Sequence, residues 1–265
     1  MSMLTLILLG WLAAACLMGL LWLVQLWTGD AGIVDVAWAA GVGLLSAAFA
    51  WLSPAGLAER KWLVLAVVLV WAIRLAGYVL MRVLTMPEDG RYTALKEQWG
   101  PQAAWRMFRF YQLQAVGVVL FALPILIALQ NPQPLIWLDW FGLAIGVLSI
   151  AGESLADWQL SRFRSQAANR GQVCNLGLWR YSRHPNYFFE WLHWWAYVCF
   201  AISNWPWGCL TLLGPLTMWY LITRVTGIPP TEAQSLKSRG EAYRRYQQTT
   251  SPFFPWFPRT QPKAN

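Results

Sequence analysis

The sequence predicts an all-α fold, a polytopic membrane bundle of about seven transmembrane helices forming one integral membrane domain over residues 1–265. Three observations carry that prediction. Hydrophobic residues make up 57% of the chain and charged residues only 12%, about half the charged share of an ordinary soluble domain. The apolar residues gather into runs near 4–27, 33–52, 62–81, 115–129, 135–156, 187–202 and 207–223, on the scale of the roughly 20 helical residues that cross a hydrocarbon core. The polar stretches between the runs read as loops and a tail, without a repeat or an appended soluble domain.

Taken in order, the first run has no basic flank and exceeds the apolar core of a signal peptide, so it is read as a span. The second opens with Asp35 in "GIVDVAW". Its "GVGLLS" (Gly41, Gly43, Ser46) resembles a dinucleotide-binding glycine loop, but no strand or βαβ unit precedes it, and close helix packing explains it better. The third carries Arg74, eight residues before Arg82 and therefore roughly 12 Å below the interface. Residues 91–114 mix aromatic, basic and amide side chains and are expected to lie in the interface. The links "NPQP" and "SNWP" are short enough for tight antiparallel hairpins, which moves any chemistry to the opposite face. The fifth run ends in Glu153, Asp157 and Arg164, four and seven residues apart, hence on one helix stripe. The sixth starts with Pro185, suited to a first helical turn, and sets Asn186 and Glu190 at i,i+4. Arg224 closes the seventh.

The formal charge of +8 follows the membrane and does not suggest nucleic acid. Five basic residues lie between Arg82 and Arg109, five between Arg162 and Arg183, and seven from Arg224 to Lys263, against Arg60 and Lys61 on the other side. The positive-inside bias then puts the basic loops and C-terminus in the cytoplasm and the N-terminus outside. Cys16, Cys174, Cys199 and Cys209 form no CxxC pair, and His184 and His193 lie nine apart. Neither a disulfide framework nor a metal site is expected. No obligate protein partner is apparent.

On this topology Asp35, Arg74, Glu153, Asp157, Arg164, Asn186, Glu190 and Arg224 all fall in the cytoplasmic half. Ionisable groups at membrane depth mark function or pair with one another. One pocket opening to the cytoplasm would collect them there, and arginines, carboxylates and an amide among aromatics suit a ligand with an anionic head and an apolar body. The competing reading is structural: Asp35 neutralises Arg74, and Glu190 or Asp157 pairs with a nearby arginine.

The pieces "IVDVAW", "EDGRYTALKEQWG", "RFRSQAANRG", "GLWRYSRHPNYFFEW" and "TGIPPTEAQSLKSRGEAYRRYQQTTSPFFPWFP" extend over nearly the whole chain. With them it resembles the membrane steroid 5α-reductase family, particularly its bacterial branch, and more distantly the isoprenylcysteine carboxyl methyltransferases. The Arg-His-Pro-Asn-Tyr core is common to both. Glu190, Trp191 and the spacing of Asp157 and Arg164 before Asn186 favour the reductases. The resemblance implies an enzyme of the bacterial inner membrane that uses NADPH to reduce the C4–C5 double bond of a 3-oxo-Δ4 steroid, or a related enone in an isoprenoid lipid. It implies cofactor contacts at Asp157, Arg164, Asn186, Glu190 and Arg224; Arg170, Arg180 and Arg183 near Arg164 are further expected phosphate contacts, Tyr187 is expected at the cofactor, and Asp35, Trp38 and Trp71 are expected in the substrate pocket. Asp35 and Glu190 are the expected catalytic residues, at the substrate carbonyl and the nicotinamide. The tyrosine that accompanies the acid in the third helix of animal enzymes has no match, Trp71 standing near its place. Two alternatives are an S-adenosylmethionine-dependent methyltransferase of a prenyl or lipid substrate and a non-catalytic lipid-binding protein. A methyltransferase ligand lacks the diphosphate of NADPH and needs fewer arginines.

Overall fold

The computed structural model describes residues 2–259. These are predominantly helical, and among them the β pairing amounts to one isolated bridge between Ser182 and Ser251. The helices are α1 (Met3–Thr28), α2 (Ile33–Leu52), α3 (Ala58–Thr85), α4 (Gly90–Trp99), α5 (Ala103–Leu129), α6 (Trp137–Ser165), α7 (Pro185–Ala201), α8 (Leu213–Tyr220) and α9 (Ile228–Thr249). Among the described residues five stretches are long and apolar enough to cross a membrane: α1, α2, α3, the 40-residue stretch Gly90–Leu129 holding α4 and α5, and α6. This is an integral membrane protein.

The last two apolar runs are helical but differ from simple spans. Helix α7 has 17 residues, just short of a full crossing. The final run is split into a 3₁₀ turn (Trp207–Leu212), α8 and a π turn (Leu221–Val225). The chain packs closely where this run begins: a Cβ on Gly208 would sit 2.2 Å from the Ala201 carbonyl oxygen. The 91–114 stretch resolves into α4, a 3₁₀ turn at Gly100–Gln102 and the start of α5. The fourth span thus begins twelve residues earlier than hydropathy places it. Aromatic and amide side chains lower the hydropathy of those turns without opposing helix.

The chain divides into two compact units. The first contains everything up to Leu143 plus Tyr197–Gly214; the second contains Ala144–Ala196 and the chain from Pro215 onward. In the first unit, the glycines of "GVGLLS" serve packing as expected. A Cβ on Gly43 would lie 2.6 Å from the Ala72 Cβ, and one on Gly41 would lie 3.2 Å from Val118. Ser46 is buried with its hydroxyl returned to the Val42 carbonyl.

The same unit buries Arg60 completely. Its Nε and Nη2 donate to the two Asp139 carboxylate oxygens at 2.6 and 3.0 Å. Nη1 donates to the Asn131 and Gln133 carbonyls, and Nη2 also to that of Pro134. All five guanidinium donors are thereby engaged. Asp139 in turn accepts from the Ile136 N–H at the start of α6, and the Asn131 amide donates to the Phe200 carbonyl. A residue that sequence counts as an external flanking charge therefore holds the α5–α6 hairpin to the start of α3.

In the second unit the chain after α9 returns along the turn before α7. Arg183 N–H donates to the Ser251 carbonyl at 2.8 Å, Trp256 N–H to the Tyr181 carbonyl at 2.9 Å, and the Ser182 hydroxyl to the Phe253 carbonyl at 2.8 Å. Phe253 and Phe254 pack on Phe188, Trp191 and Trp219. The tail is part of this core.

Candidate functional site

The second unit contains the expected cofactor residues and joins two of them, Asp157 and Asn186. Pro185 opens α7, where its missing N–H leaves no helical bond unmade. Asn186 follows on the first turn and donates its amide N–H to the Asp157 carboxylate of α6 at 3.3 Å. Its Oδ1 is buried without a hydrogen-bond partner among the described residues. Glu190, one turn later and buried, accepts the Trp194 indole N–H at 3.2 Å. Asp157 and Glu153 are both buried on α6, whereas Arg164, Arg170 and Arg224 are exposed. The end of α6 and the first turn of α7 thus hold two buried carboxylates and an amide with an open acceptor.

Arg183, expected at a phosphate, makes bonds within the protein. Its Nε donates to Glu232 at 2.6 Å, and its Nη1 to the Gln247 and Thr250 carbonyls. With the side chain only 9% exposed, this guanidinium joins the turn before α7 to α9 and the tail. Tyr187 stacks on His184 at 5.3 Å between ring centres and 5° between planes, and its hydroxyl lies 3.1 Å from that of Thr231. Arg180 lines a cleft with α9.

Glu232 was not singled out from sequence, because no motif spacing marks it; forty-seven residues separate it from His184 of the Arg-His-Pro-Asn-Tyr core. Glu232 accepts from Arg183, from His184 Nε2 at 3.2 Å and from the Gln247 amide at 2.8 Å. Burial raises its pKa, but the hydrogen bonds from His184, Arg183 and Gln247 and the Arg183 charge prevail and hold it at about 2. His184 has a lowered pKa because burial favours the neutral imidazole, even beside a carboxylate. A carboxylate only accepts, so Nε2 carries the proton.

Both folded-state pKa values lie below the ordinary ones, so the unfolded chain binds these protons more readily. Stability is therefore lost on acidification, from about 6.5 downward for His184 and between 4.5 and about 2 for Glu232. Glu232→Gln removes the second contribution. Melting temperature in detergent should fall more shallowly from pH 4.5 to 3 in the variant than in the natural protein. Parallel curves would exclude Glu232 as the responsive group.

The first unit holds Asp35 on the opening turn of α2. The Tyr92 hydroxyl donates to its Oδ1 at 2.7 Å, and Arg91 Nη2 lies 3.4 Å from Oδ2. The cation at Asp35 is thus Arg91, where the structural alternative expected Arg74. Asp89 caps α4 by accepting the Arg91 N–H at 3.0 Å and also holds the Arg91 side chain through both carboxylate oxygens. Asp89 is buried enough to raise its pKa, yet the Arg91 hydrogen bonds and charge bring the net value down. Glu88 accepts from the Ala31 N–H and from Lys96, which fixes α4 against the turn before α2. Asp35 opens on a cavity of about 60 Å³ shared with Arg82 and Glu88. The two expected aromatics meet edge to face, Trp38 and Trp71 having ring centres 5.9 Å apart.

Tyr92 is the functional candidate that sequence reading missed. The third helix has Trp71 near the place of the family's tyrosine, whereas the capped turn "EDGRY" sets Tyr92 of α4 beside Asp35. The signal was the Asp89 cap itself, which starts a helix three residues before the hydroxyl.

Residues 21–250 match the family model described as "Protein of unknown function (DUF1295)". An uncharacterized protein of Schizosaccharomyces pombe is 26% identical over 282 aligned positions, covering 93% of this chain and 78% of the yeast protein. No solved structure matches.

Proposed function

The chain belongs to the DUF1295 family, and from that membership and the geometry above we propose an NADPH-dependent reductase of a conjugated enone in a steroid-like or isoprenoid lipid. The leading form of this reading is reduction of the C4–C5 double bond of a 3-oxo-Δ4 steroid. The observation that carries it is Asn186. Its N–H donor is engaged by Asp157 while its buried Oδ1 has no partner among the described residues. An open buried acceptor favours a ligand with an N–H donor, and a nicotinamide carboxamide meets that demand. Association of DUF1295 with steroid 5α-reductase-like proteins adds support.

In this reading Asp157, Asn186, Tyr187 and Glu190 hold the nicotinamide and ribose portion, and Arg164, Arg170 and Arg224 hold phosphate oxygens. When bound, NADPH would supply a hydride to the β carbon of the enone. Negative charge then develops on the carbonyl oxygen, and a donor aimed there lowers the barrier. Asp35 and Tyr92 act as that donor pair: the phenol donates to the carboxyl group at 2.7 Å, and a protonated Asp35 keeps its own O–H for the carbonyl oxygen, with the Arg91 charge beside them. Trp38 and Trp71 form the apolar wall, and water supplies the proton to the α carbon. The same reading keeps the N-terminus outside and the basic loops and C-terminus cytoplasmic in a bacterial inner membrane.

The test is single-turnover reduction of a 3-oxo-Δ4 steroid by the purified protein with NADPH. Asp35→Asn should be slower than the natural protein and Asp35→Ala slower again, with Tyr92→Phe reduced about 100-fold, as for loss of one donor to a developing oxyanion. NADPH affinity should change little. Lost thermal stability with normal chemistry in the folded fraction would assign Asp35 to assembly only. Methyl transfer from S-adenosylmethionine without NADPH oxidation would replace the reductase reading, and lipid binding without either turnover would make the protein a lipid carrier or scaffold.

A further inference from the structure

A cleft of about 480 Å³ lies within the second unit, between the 173–180 segment and the last turns of α9. Arg180 and Arg245 line it together with Asn175. Among the described residues neither guanidinium has a hydrogen-bond or ion-pair partner, in contrast to Arg183 next in the chain. The remaining walls are largely apolar or satisfied: Val173, Leu176 and Pro258 are hydrocarbon, and the Tyr246 hydroxyl donates to the Trp179 and Ser182 carbonyls. Two cations and an amide facing a cavity without a carboxylate in its lining form a receptor for an anion.

The rim says which anion. Pro258 of the lining follows Trp256 and Phe257, which are 69% and 76% exposed. Arg180 precedes Tyr181, whose ring meets that of Phe257 at 6.1 Å. The Trp256 N–H is fixed to the Tyr181 carbonyl, so this aromatic edge is held in place and does not dangle. Leu176, another lining residue, is 62% exposed. Exposed tryptophan and phenylalanine beside arginines are the composition of a surface seated at lipid headgroups. A soluble anion would gain nothing from such a rim.

We propose that this cleft binds the phosphodiester headgroup of an anionic phospholipid, with Arg180 and Arg245 on the phosphate, Asn175 on the polar headgroup, and Trp256 and Phe257 against the acyl-chain boundary. The site lies on residues other than Asp157, Asn186 and Glu190, and it stands whether or not the reductase reading holds.

The full chain, reconstituted in nanodiscs of equal parts phosphatidylglycerol and phosphatidylcholine, tests the proposal by native mass spectrometry of lipids retained on release. The natural protein should retain one phosphatidylglycerol in preference to phosphatidylcholine. Arg180→Gln/Arg245→Gln should lose that preference by about tenfold, the loss of a charge-assisted contact, and Asn175→Asp, which adds a carboxylate to the cleft, should do the same. Arg239→Gln, outside the cleft and bonded to the Gln172 carbonyl, should retain the lipid. Equal retention of both lipids by the natural protein, or unchanged retention in both cleft variants at unchanged melting temperature, would overturn the proposal. So would displacement of the lipid by NADPH, which would make Arg180 a cofactor contact, or equally tight binding of glycerol phosphate, which would make the site one for a soluble anion.

Discussion

Replacing Arg60 with alanine is expected to destabilise the protein by about 3–5 kcal/mol, the usual consequence of removing one partner of a buried ion pair. Asp139 would be left buried opposite no cation, and the carbonyls of Asn131, Gln133 and Pro134 would lose their donors. Asp139→Asn should approach the same loss, since it leaves the fully buried guanidinium charged and unneutralised. An apolar pair, Arg60→Met with Asp139→Leu, should recover part of it, because the charge then disappears from both sides; the three carbonyls keep recovery incomplete. Unfolding in mixed micelles of increasing denaturing detergent measures the effect. Single variants within about 0.5 kcal/mol of the natural protein, the range of an ordinary surface substitution, would refute the role given to Arg60.

Glu190→Gln is expected to lower turnover about 100-fold at saturating NADPH, the effect of displacing a reacting group by about 1 Å. Glu190 lies one helical turn beyond Asn186, and its Oε1 accepts from Trp194. Glutamine preserves volume and can still accept that hydrogen bond, but it removes the charge and adds an N–H, so ligand orientation changes while the helix is preserved. A fall in turnover with little change in NADPH dissociation constant would identify a positioning fault. Normal turnover, with or without lost stability, would make Glu190 a packing group of α7.

Much of this protein was determined by sequence alone. Long apolar runs separated by short polar links dictate membrane helices, because a backbone without water must satisfy its own hydrogen bonds. The glycines of "GVGLLS", the i,i+4 pair Asn186 and Glu190 and the stripe of Asp157 and Arg164 follow from helix periodicity, which is a local property. What only the tertiary structure decided are partners far apart in sequence. Arg60 finds Asp139 and three carbonyls seventy or more residues away; Arg183 and His184 find Glu232; Asp35 finds Arg91 and Tyr92 where Arg74 was the nearer guess in helix order. Spacing carries no sign of such pairs, since any of the basic residues satisfies a carboxylate equally well until the fold fixes distances and burial. The interruption of the final run into 3₁₀, α and π segments is likewise a feature that hydropathy does not register. Local patterning specifies which segments become helix, whereas the Coulomb and hydrogen-bond demands of buried polar groups, met only when particular helices pack, specify which charges are structural and which remain open to a ligand.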